Sequence, residues 1–197
     1  MLFAETGLAG AFIVDLERRE DVRGFFAREF CQKEFAAQGL EPTFVQSNLC
    51  LNAKAGTLRG MHFQYPPAAE TKLVRCLRGA ILDVIVDLRP ESPTYLGHVA
   101  IELNDDNWRA LYVPERFAHG YQTLTDNTVT SYHMSEFYTP STQSGLRYDD
   151  PDLAIVWPRP VSVISENDRS LQPYSRIKEQ IKTRMCIGDR PPLAVPA

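Results

Sequence analysis

The stretch AILDVIVDL, residues 80–88, constrains the fold more than any other part of the chain. Ala80, Leu82, Val84, Val86 and Leu88 share one parity, and Asp83 and Asp87 fall on the other, a two-residue period that belongs to a strand with one face in a core. The even-numbered face is the expected core face. Short runs of the same kind recur before it (TFVQSNLCL, TLRGMHF, KLVRCL) and after it (HVAIEL, RALYVP, GYQTL, VTSYHM). Each is bounded by Gly, Pro, Asn or Asp clusters such as RPESPTYLG and NDDN. No amphipathic helical period separates them, which argues against βαβ units and for an all-β sandwich or barrel. Helix is expected only at the flanks, in QKEFAAQGL (residues 32–40) and in YSRIKEQIKTRM (residues 174–185), where Ile177 and Ile181 stand four apart on one face.

A chain of 197 residues, 44% hydrophobic and 23% charged, is long enough for one sizeable core. With no internal repeat or low-complexity linker, one domain is expected over residues 1–185, followed by a proline-rich tail at 186–197. A net charge of −4 argues against a nucleic-acid partner, because phosphate binding needs Lys and Arg in excess. No run approaches the roughly 20 apolar residues that span a bilayer, and the first residues lack a signal-peptide pattern, so a cytoplasmic protein with no membrane partner is expected. Cys31, Cys50, Cys76 and Cys186 are scattered without a CxxC pair and read as thiols, with Cys76 in the core beside Val74.

Polar side chains that could carry chemistry concentrate in TLRGMHFQYPPAAETKLVRCLRG, residues 57–79. His62 alternates with Leu58, Gly60 and Gln64, whereas Arg59 has the opposite parity and shares a face with His62 only if a bulge intervenes. His119 stands just after VPERFA, where another strand begins. Two inward histidines in a small barrel imply a polar cavity; the plain alternative is a pair of partly buried imidazoles bonded to backbone. The spacing of Gly56 and His62 resembles the first metal motif of the cupin superfamily, and Pro114 to His119 loosely resembles the second. Gln64, however, stands where a second ligand is needed, and Glu70 lies further on than the motif requires. No metal and no other cofactor is expected.

TLRGMHFQYPP, KLVRCLRGAILDVIVDLRPESPTYLG, LYVPERFAHGYQTL, SYHMSEFYTP, YDDPDLAIVWP and SENDRSLQP together resemble, in order, the motifs of the dTDP-4-dehydrorhamnose 3,5-epimerase family. The resemblance runs from about Asp21 to Arg169. It implies a cupin-type jelly-roll β-sandwich, a homodimer, and a nucleotide-linked 4-keto-6-deoxy sugar as substrate. The ketone acidifies the protons on C3 and C5, so epimerisation needs a base on one face, an acid on the other and a cation for the enolate. The resemblance assigns the base to His62, its orienting carboxylate to Asp168, the acid to Tyr132 and the cation to Lys72. It further implies Arg23 and Arg59 on the diphosphate, Gln46 and Asn48 near the base and phosphates, Phe26 and Tyr138 against the nucleobase, and His119 in the sugar pocket.

Several residues depart from the family pattern. Arg28 replaces Glu, Leu49 and Cys50 replace a His-Ser pair, His133 replaces Lys, Gln143 replaces Glu, and Asn167 replaces Lys. These positions are expected around the nucleotide and sugar, which makes Arg28, Gln143 and Asn167 candidate substrate contacts and implies conserved chemistry on an altered substrate. Two other readings stand beside this one: a metal-dependent cupin enzyme using His62 and His119, and a non-catalytic cupin that binds a sugar nucleotide.

Overall fold

The computed structural model describes residues 1–186, so the expected proline-rich tail lies, from residue 187 on, outside the described residues. The strands in chain order are β1 (Leu2–Glu5), β2 (Phe12–Asp15), β3 (Arg19–Asp21), β4 (Gly24–Phe26), β5 (Gln46–Asn52), β6 (Thr57–Gln64) and β7 (Lys72–Arg78). There follow β8 (Ala80–Asp87), β9 (His98–Asn104), β10 (Ala110–Val113), β11 (Phe117–Thr123), β12 (Thr128–Met134), β13 (Gln143–Gly145) and β14 (Val163–Ile164). Three helices complete the set: α1 (Gln32–Ala37), α2 (Glu166–Arg169) and α3 (Tyr174–Arg184). Helix α1 is shorter than expected because Gly39, at φ +71, turns the chain away after Gln38.

One sheet has the order β1-β2-β10-β7-β12-β5, the other β13-β6-β11-β8-β9 with β14 added beside β6, and β3 and β4 form a separate hairpin. The two large sheets face each other in a cupin jelly roll. Val74, Cys76, Leu111 and Val113 from the first sheet meet Ile81, Ile85, Leu103 and Phe117 from the second in one buried cluster. Each such side chain, fully buried, stabilises the fold by about 1.5–3 kcal/mol relative to exposure.

Strand β8 departs from its expected half-buried state. Val84, Val86 and Leu88 do lie in a core, but it is an outer one, shared with Met61, Phe63, Leu146, Tyr174, Ile181 and Met185 beneath helix α3. The odd face is buried too, with Ile81, Asp83, Ile85 and Asp87 all at 0% exposure. It points between the sheets, and its two carboxylates are accommodated by partners. Asp87 accepts from Arg89, Ser92 and Thr94, and Asp83 bonds to His119. Among the described residues no helix is long and apolar enough to cross a membrane.

Candidate active site

At the end of the sandwich formed by β5, β12, β6 and β13, inward positions change from apolar to polar around a cavity of about 410 Å³. The first sheet supplies one wall. Register places Gln46, Met134 and Lys72 in one row, Asn48, Tyr132 and Val74 in the next, and Cys50, Thr130 and Cys76 in a third. The second sheet supplies the opposite wall through Arg59, His62, Gln64, His119 and Tyr121.

Arg59 and His62 share that wall, despite their opposite parity, because β6 carries a bulge against β11. His62 pairs with His119 and Arg59 with Tyr121, three steps on β6 against two on β11. Glycines make this crossing possible. Gly60 has φ +126, and a Cβ there would lie 2.5 Å from Gly120 Cα; a Cβ on Gly120 would lie 2.7 Å from the Arg59 carbonyl oxygen.

The bulge also turns the Gly60 N–H toward Asp168, whose Oδ2 accepts it at 3.1 Å while Oδ1 lies 2.7 Å from His62 Nε2. Asp168 is held in turn by α2, where its own N–H donates to the capping Ser165 hydroxyl at 3.1 Å. Burial pushes the Asp168 carboxyl up, but the hydrogen bond and charge of His62 and the N–H of Gly60 outweigh it and hold the group below its ordinary range. A carboxylate can only accept, so His62 presents Nε2–H to it, and in the neutral form of the ring the lone pair is on Nδ1. With 37% of its side chain exposed, the ring is open to the cavity.

Facing it, Tyr132 is partly buried on β12. Burial, reinforced by Cys50 with its Sγ at 3.9 Å, pushes the phenol above its ordinary value, so the hydroxyl remains a neutral proton donor. Lys72, at 6% exposure, is not the solvated strand-end lysine its position suggests: its Nζ lies 3.1 Å from Glu70 Oε1. The other Glu70 oxygen accepts the Gln64 backbone N–H at 3.1 Å. The Gln64 amide donates to the Ala68 and Phe137 carbonyls and accepts from the Thr139 N–H, so the residue at the cupin ligand position holds loops together instead. His119 Nε2 lies 2.7 Å from Asp83 Oδ1.

Arg59 Nε donates to Asn52 Oδ1 at 2.8 Å, and Asn52 Nδ2 donates to the Tyr121 hydroxyl at 3.3 Å. Burial pushes that phenol up to about 12. At the mouth, Gln46 accepts the Tyr138 N–H at 2.6 Å, and the Tyr138 hydroxyl donates to Gln143.

Ten of the fourteen residues proposed from the sequence thus line or back one cavity: His62, Tyr132, Asp168, Lys72, His119, Arg59, Gln46, Asn48, Tyr138 and Gln143. The other four do not reach it. Arg23 and Phe26, 86% and 71% exposed, sit on the β3-β4 hairpin, Arg23 paired with Asp21. Arg28 pairs with Glu34 of α1 at 2.8 Å, and Asn167 is exposed on α2. The departures from the family pattern are also less clustered than expected. Only Cys50 and Gln143 line the cavity, whereas Leu49 and His133 lie on the opposite parity of β5 and β12.

Asp83, Asn52 and Tyr121 are structural partners that sequence reasoning did not single out, and Glu70, weighed there only as a metal ligand, is the ion partner of Lys72. For Asp83 the available signal was a carboxylate within an otherwise apolar strand.

The profile of the family described as dTDP-4-dehydrorhamnose 3,5-epimerase matches residues 5–176. A protein of that name from Methanothermobacter thermautotrophicus is 42% identical over 174 residues, 87% of this chain and 93% of the relative. A crystal structure of the Bacillus anthracis enzyme of the same name, with TDP and PPi bound, superposes with a TM-score of 0.85 at 41% identity, covering 87% of this chain and 98% of the other. The Legionella pneumophila epimerase in complex with dTDP-4-keto-L-rhamnose gives a TM-score of 0.85 at 32% identity, covering 92% and 96%.

Proposed function

The chain belongs to the dTDP-4-dehydrorhamnose 3,5-epimerase family, and from that premise we propose that it inverts C3, C5 or both in a nucleotide-linked 4-keto-6-deoxyhexose. The observation that carries the reading is the opposition of His62 and Tyr132 on facing walls of one cavity. A sugar ring held between them meets a base on one face and a neutral phenol on the other, as inversion through a planar enolate requires.

In this reading His62 Nδ1 removes the proton beside the ketone. Asp168 stabilises the imidazolium so formed. Lys72, fixed by Glu70, faces the ketone oxygen as negative charge develops there, the electrostatic contribution that is usually largest. Tyr132 returns a proton from the opposite side. Arg59, braced by Asn52, is suited to a phosphate, and Gln46, Asn48, Tyr138 and Gln143 form the approach for the nucleotide.

The exposed β3-β4 hairpin supports a homodimer. Arg23 and Phe26, matched by resemblance to the diphosphate and nucleobase, lie outside their own chain's cavity and fit a role in the cavity of a second copy. A cytoplasmic location completes the reading.

Proton NMR of dTDP-4-keto-6-deoxyglucose incubated with the protein tests the activity, with other nucleotides in parallel. New ring signals of the inverted sugar are expected, and unchanged spectra with every nucleotide would refute it. Activity should survive exhaustive dialysis against a chelator; loss that is restored by a divalent metal contradicts the metal-free mechanism. For the dimer, mixing an Arg23→Ala/Phe26→Ala protein with a His62→Ala protein should restore activity that neither has alone, since one site of the mixed dimer is then complete.

A further inference from the structure

The pocket contains a second His–carboxylate pair, His119 with Asp83, that the mechanism above leaves without a task. Asp83 sits on β8 opposite Tyr121 of β11, and reaches diagonally to His119, the cross-strand partner of His62. It is completely buried. One carboxylate oxygen meets His119 Nε2 at 2.7 Å, and the other takes no hydrogen bond from the described residues. Burying a carboxylate with an unsatisfied oxygen is costly, and the neighbouring positions on this face, Ile81 and Ile85, show that apolar side chains fill it well. A carboxylate has no packing purpose here.

We propose that Asp83 is a positioning residue for epimerisation, acting through His119. It can only accept, so it binds the ring through Nε2–H, fixes the ring's orientation, and leaves Nδ1 as the atom that meets the substrate. His119 is then held as rigidly as His62, with one ring serving the proton transfer and the other holding the sugar. The proposal rests on the epimerase reading of the pocket.

The test combines a mutant cycle with a spectroscopic readout. Asp83→Asn and His119→Gln should each lower kcat/KM by about 10- to 100-fold, the size of a lost hydrogen bond to a charged group. The double variant should be no worse than His119→Gln, because the two residues act as one unit. Losses that multiply in the double variant would overturn the proposal.

In parallel, 15N NMR of the imidazoles, with the His119 signals identified by their disappearance in His119→Gln, should show the Nε2–H form in the wild type. In Asp83→Asn they should show a mixture. A wild-type His119 carrying its proton on Nδ1 overturns the proposal even if Asp83→Asn does not fold. This readout needs no substrate, so wild-type protein inactive on every nucleotide sugar would count against the epimerase reading alone.

Discussion

Replacing Asp168 with Asn keeps the shape of the side chain and changes what it can accept. In the wild type both oxygens face donors, Oδ1 toward His62 Nε2 and Oδ2 toward the Gly60 N–H. An amide brings one acceptor and one donor to the same two donors, so one bond must fail, or His62 must adopt the other tautomer and lose its lone pair on Nδ1. A hydrogen bond to a charged group contributes about 1.5–3 kcal/mol, which corresponds to a rate loss of about 10- to 150-fold, and tautomer trapping adds to it. The assay is the initial rate of deuterium incorporation next to the ketone at saturating substrate, with folding checked by thermal melting. A variant within about threefold of the wild-type rate would refute the claim that Asp168 sets the base. The same substitution has a pH signature. Because the folded-state carboxyl is held below its ordinary range, its stabilisation is present above about pH 4 and is lost as pH falls through the lowered value. Asp168→Asn should therefore be less stable than wild type at neutral pH, and the gap should close in acid.

Lys72→Met should lower kcat by about 10²- to 10³-fold, as removal of one oxyanion-stabilising group does, and should also destabilise the fold by leaving Glu70 buried and unpaired. Adding Glu70→Gln should recover the melting temperature but not the activity; recovery of both would show that Lys72 serves packing alone. Tyr132→Phe should retain proton exchange at one carbon while inversion stops, and full epimerisation by this variant would mean that the acid is wrongly assigned. Gly60→Ala places a Cβ 2.5 Å from Gly120 Cα at a φ of +126. It should cost roughly 2–4 kcal/mol, read as a fall of several degrees in Tm, and a Tm equal to wild type would contradict the role given to the bulge.

The sandwich was legible because period-2 strands punctuated by turn residues have few other outcomes, whereas the bulge was legible only as the condition on which Arg59 and His62, of opposite parity, could share a face. Which face of β8 points between the sheets was not legible. Alternation reports two faces and cannot tell that a helix about a hundred residues later will cover the outer one, and it counts Asp83 and Asp87 as solvent-facing when their partners make them interior. The pairing of His62 with Asp168, 106 positions away, became visible through family resemblance, not through any local pattern. The roles of Glu70 and Asp83 remained hidden because what a carboxylate does depends on what the fold brings beside it. The hairpin residues Arg23 and Phe26 were legible as candidates, but their separation from the cavity belongs to the tertiary structure alone.

The most direct test of a base and an acid on opposite walls is incubation in heavy water with a 4-keto-6-deoxyglucose nucleotide, following C3 and C5 by NMR. The wild type should replace the proton at one or both carbons with deuterium and invert that centre, while His62→Ala should leave both carbons unexchanged. Exchange at neither carbon by the wild type, or undiminished exchange by His62→Ala, would contradict the account.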